Sequence, residues 1–97
     1  MDEVAFRAEF AEATLVYERV IRHGASRIRE MVERYGEIGT CSRLVVSPDL
    51  QEGFRVLRDR NMLTQTCEAL VVRFRHLFDE QTVLAAQWRL DNAHNLL

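Results

Sequence analysis

The side chains here that could do chemistry are two cysteines, three histidines and a large stock of acids and arginines. Their spacing decides what they can do. His23, His76 and His94 lie far apart in the sequence. They form no converging set of the three or four N, S or O donors that zinc requires. Pairing His76 with Cys67, two and a half helical turns earlier, does not make one either. No metal and no cofactor are expected.

A nucleophilic cysteine needs an exposed thiol of low pKa beside a base. Cys67 falls on an apolar stripe and reads as an inert core residue. Cys41 sits in a glycine-flanked stretch and is the more reactive of the two, yet only Ser42 is near it and no histidine is local. Gly36 and Gly39 do not make a phosphate loop, since no Gly-Lys-Ser/Thr follows and the chain has no lysine. No catalytic residue is assigned, and the chain reads as non-enzymatic.

All thirteen basic residues are arginine, against fifteen acids, for a net charge of −2. That balance gives no overall pull toward phosphate backbones or anionic lipid. Planar guanidinium groups nevertheless suit bidentate contacts to carboxylates. Two cysteines are too few for a disulfide framework, so free thiols in a reducing cytosol are expected. Met1-Asp2-Glu3 lacks the basic and apolar regions of a secretory signal. The longest uncharged run, Gln81 to Trp88, is eight residues, far short of the roughly twenty that span a bilayer. A cytoplasmic protein without membrane contact is expected.

The elements that must carry these residues are helical. With 47% apolar and 29% charged residues, four glycines and one proline, the chain reads as one globular domain, 1–97, with little loop. Phe6, Phe10, Ala13, Tyr17, Val20, Gly24, Ile28, Met31 and Tyr35 recur in steps of three and four, the helical period. This predicts one long N-terminal helix over about 2–35, with a possible bend at Gly24 and Gly36 as the left-handed residue that ends it. Residues 36–46 read as the connection. Ser47-Pro48-Asp49 then reads as a helix start, giving three shorter helices over about 48–60, 64–78 and 80–96. Asn61 reads as a stop and Asp79 as an N-cap. The fold class is all-α.

The long first helix points to a partner. At 1.5 Å per residue it would be a rod of about 50 Å, whereas a compact chain of this size has a radius of gyration near 13 Å. Val4, Ala8, Ala11 and Leu15 add a second apolar stripe on the face opposite Phe6 and Phe10. From Asp2 to Glu18 there are five acids and one arginine, and from Arg19 to Tyr35 five arginines and two acids. Two such helices packed antiparallel set acidic halves against basic halves, which predicts a two-fold homodimer. Val4, Ala8, Ala11, Leu15, Arg22 and Trp88 are the expected protein-interface residues.

The functional expectation is therefore a small helical regulator or adaptor that inhibits, sequesters or chaperones another protein, as a homodimer. The alternative is a helix-turn-helix-like transcriptional regulator built on residues 50–78. There Arg55, Arg58, Arg60, Arg73 and Arg75 would contact phosphates, with Gln65, Glu68, Ala69, Val72, Arg73 and His76 facing outward.

Overall fold

The first helix ends at Ile21, fourteen residues before the sequence period runs out. In the computed structural model, which describes residues 2–96, the helices are α1 (Asp2–Ile21), α2 (Ser26–Val46), α3 (Glu52–Asp59), α4 (Cys67–Arg73) and α5 (Glu80–Asp91). Short 3-10 turns follow at Leu63–Gln65, Arg75–Leu77 and Ala93–Asn95. No strand occurs among the described residues. The all-α class holds. The last helix, expected over about 80–96, gives way after Asp91 to the 3-10 turn at Ala93–Asn95.

The expected rod folds into a hairpin instead. The extents are 32 × 29 × 20 Å and the radius of gyration is 12.3 Å, so no 50 Å rod projects. The turn is made by Arg22, with φ +62°, and not by Gly24. The Arg22 N–H donates to the Glu18 carbonyl at 2.8 Å, the single bond of a left-handed helix cap. Glu18 then reaches across the turn: its carboxylate accepts the Ala25 N–H at 2.7 Å and two guanidinium N–H groups of Arg29. One side chain thus ends α1 and caps α2, whose preceding residue, Ala25, offers no side-chain cap.

Gly36 does leave helical geometry, with φ 75° and ψ 173°, but helix resumes at once. Residues 37–46, read above as a connection, bury Thr40, Cys41, Leu44 and Val45. The α2 helix therefore runs on to Val46, and Ser47 closes it instead of opening the next. The turn over 47–51 follows, in which the Ser47 hydroxyl accepts the Asp49 N–H at 3.3 Å, and α3 begins only at Glu52. Asn61 stops α3 as expected. It takes φ +59°, and the N–H groups of Met62 and Asn61 donate to Leu57 and Arg58, a Schellman closure.

The expected 64–78 helix is broken at both ends. Thr66 caps α4 by accepting the Ala69 N–H at 3.1 Å, and the tighter turn after Arg73 swings Phe78 back toward α1. Phe6 then meets Phe74 and Phe78 edge-on at 5.4 and 5.5 Å between ring centroids, a favoured aromatic geometry. Asp79 caps α5 as expected, accepting the Thr82 N–H at 2.8 Å. The core joins Phe6, Phe10, Val45, Leu70, Val71 and Ala86, and α4 lies at its centre, packed on α5, α2 and α1.

Candidate functional site

Two surfaces of α1 behave differently. Phe6, Phe10 and Ala13 are buried, while Val4 and Leu15 are 66% and 44% exposed and Ala8 and Ala11 between them are exposed. The second stripe expected of this helix is thus an open face, not one sandwiched by the chain's own helices. The helix is fixed by pairs on its other flank: Arg73 donates to Glu9 at 2.7 Å and His76 Nε2 lies 2.6 Å from Asp2. Trp88 stands 57% exposed beside Leu84 at 61%, one turn apart on α5. Arg22 is exposed at the hairpin turn. Val4, Ala8, Ala11 and Leu15 are brought together on one face; Trp88 and Arg22 stand on other elements.

The charge argument changes with the hairpin. The acidic residues of α1 and the arginines over 27–34 lie on separate helices joined by the turn at Arg22, so the two halves no longer form one rod.

The arginines expected at nucleic acid divide. Arg55, Arg60 and Arg75 are exposed. The Arg58 side chain is only 10% exposed and donates to the carbonyls of Ala93 and Leu96 at 3.1 and 2.6 Å. Arg73 is taken up by Glu9 and the Thr64 carbonyl. Of the residues expected to face outward from a recognition helix, Glu68 and Ala69 are buried, because α4 is the central element. Arg73 and His76 are exposed.

Glu68 belongs to an interior clamp that the sequence reading missed. Arg89 Nη1 donates to Glu68 at 3.0 Å and to the Leu44 carbonyl at 3.0 Å, and Nη2 donates to the Ser47 carbonyl. This satisfies the last carbonyls of α2 and ties α2, α4 and α5 together. Burial outweighs the Arg89 hydrogen bond and lifts the Glu68 carboxyl above its ordinary range.

Cys41, expected in a loop, is fully buried on α2. A hydrogen bond with the Cys67 thiol, followed by burial, pushes its pKa well up, so Cys41 is a poor nucleophile. Cys67 is the more open of the pair. No group of three or more potential metal ligands occurs among the described residues, and no helix there is long and apolar enough to cross a membrane.

A half-open cleft of about 360 Å³ lies between the end of α1, the start of α2, and α3 and α4. Cys67 and Tyr17 are on its wall. The Tyr17 phenol is raised above its ordinary range, first by burial and then by the Glu52 charge beside it. The cleft exists because the chain turns back at Arg22, so the sequence carried no local signal for it. Compared with protein-family models, curated proteins and solved structures, the chain matches none.

Proposed function

We propose that this chain is a small, non-enzymatic, cytoplasmic regulator or adaptor that works by binding another protein, and that it does so as a homodimer. The open face of α1 carries the reading. Val4 and Leu15 are held in water while the opposite face of the same helix is buried, and covering a valine or leucine side chain is worth about 1.5–3 kcal/mol. The occupant is a second copy of the chain. The stripe runs in steps of four, three and four, which reads the same from either end. An antiparallel pair therefore sets Val4 of one copy against Leu15 of the other and Ala8 against Ala11, with the alanines letting the axes approach. It also separates Asp2 and Glu3 of the two copies, which a parallel pair would stack. Paired in this way, the chain presents Trp88 and Leu84 to its target, an aromatic and an aliphatic anchor of the kind that dominates interfaces.

Sedimentation velocity tests the pairing. The wild-type chain is expected to be a dimer at tens of micromolar, and Leu15→Asp a monomer with an unchanged helical circular dichroism spectrum. A wild-type monomer at that concentration overturns the proposal. The helix-turn-helix alternative lacks comparable support, because the helix that would enter the groove is the most enclosed in the molecule.

A further inference from the structure

The cleft beside the hairpin turn is independent of the α1 outer face. Its volume of about 360 Å³ falls at the small end of pockets that enclose small molecules. Phe10, Met31, Leu44, Phe54, Leu57 and Leu70 make its wall apolar, and all but Met31 are buried in the fold. Its charged groups are unevenly placed. Glu68 lies at the wall but is paired with Arg89 at 3.0 Å, so the interior offers no unpaired cation to an anion. Glu52 stands on the lip formed by residues 51–53, beside Tyr17. On the other lip are His23 and Arg27, both exposed. Arg27 makes no ion pair among the described residues, and the His23 ring meets the carbonyl of Gly24 at 2.9 Å with the Glu18 charge nearby. Glu18 also stands at this turn, but its carboxylate is taken up by Arg29 and the Ala25 N–H, so Arg27 remains as the excess cation there. An anionic head fits the lip over 23–27, and the apolar wall takes whatever is attached to it.

The geometry points to a binding site for a monoanionic amphiphile, an apolar chain or ring bearing one carboxylate, with its tail in the cleft and its head at Arg27 and His23. At Gly53 a Cβ would meet the Tyr17 ring in ordinary contact at 3.7 Å, so it is the longer branches of a leucine there that would fill the space beside Tyr17.

The test uses the full chain with Nile red as a neutral fluorescent probe and decanoate and decanol as competitors. Nile red fluorescence is expected to saturate at one equivalent per chain and to be lost in Gly53→Leu, whose helical spectrum is unchanged. Decanoate is expected to displace the probe about fivefold less well from Arg27→Glu than from wild type, as befits an exposed ion pair, while decanol displaces it equally from both. Absence of saturable Nile red binding overturns the site. So does binding that survives Gly53→Leu. Equal responses of decanoate and decanol to Arg27→Glu overturn the anionic head, and this arm needs only a surface substitution that leaves the core alone.

Discussion

Glu18 accepts three hydrogen bonds, from Ala25 and Arg29, across the hairpin turn with a side chain that is 14% exposed. The Arg29 hydrogen bonds, then the Ala25 N–H, lower its pKa from 4.5 to about 2. A carboxylate depressed in the folded state stabilises the fold above its unfolded pKa and loses that contribution as pH falls through the folded value. Glu18→Gln should therefore be less stable than wild type at neutral pH, and the gap should close between pH 4.5 and about 2; urea denaturation across that range checks it. Glu68 has the opposite sign, because its raised carboxyl favours folding at low pH and less so as pH rises through the folded value. The Glu68–Arg89 pair is buried, so removing one member strands the other. Arg89→Met should cost about 3–5 kcal/mol, and adding Glu68→Leu should recover part of the loss in a double-mutant cycle. Full recovery is not expected, since the carbonyls of Leu44 and Ser47 stay unmet. Thr40 is a smaller case. Its buried Oγ1 has no hydrogen-bond partner among the described residues, for the i−4 carbonyl a helical threonine normally uses belongs to Gly36, where the backbone is not helical. Thr40→Val should raise stability by about 1 kcal/mol, read as a higher urea midpoint.

At the scale of elements, α2 is two helical pieces hinged at one glycine. Its φ of 75° with ψ 173° lies in a region open essentially to glycine alone. Nothing stands within 4 Å of a Cβ placed there, so the cost of Gly36→Ala is purely backbone. We expect a loss of about 1–3 kcal/mol, with a wild-type helical spectrum well below the unfolding midpoint. A substitution that left the midpoint unchanged would show that α2 runs straight through residue 36 in solution. The hinge matters because it turns residues 37–46 into the core, where Cys41 and Val45 meet α4 and α5. The period there, Ile38, Cys41 and Val45, was available in the sequence; Gly36 and Gly39 outweighed it, and the stretch read as a connection.

At the scale of the whole molecule, the proposed pairing makes stability depend on concentration. A chain that folds and pairs should show a melting temperature that rises with protein concentration by mass action. Leu15→Asp should abolish that rise while leaving the monomer folded, because Leu15 touches the outside of α1 and not its core. Differential scanning calorimetry over a hundredfold range of concentration is the measurement. The sequence by itself determined the helical class, the inward stripe of Phe6, Phe10 and Ala13, the stops and caps at Asn61 and Asp79, and the second stripe from Val4 to Leu15. Each of these is local, set by a period or by a cap spanning a few residues. Only the tertiary structure decided that the first thirty-five residues fold back at Arg22, since the bonds that fix the turn join Glu18 to Arg29, eleven residues apart. The same holds for Arg89, which reaches carbonyls more than forty residues away. The open α1 face was legible as a stripe, but that the chain's own helices leave it uncovered follows from where they pack, and so does the cleft.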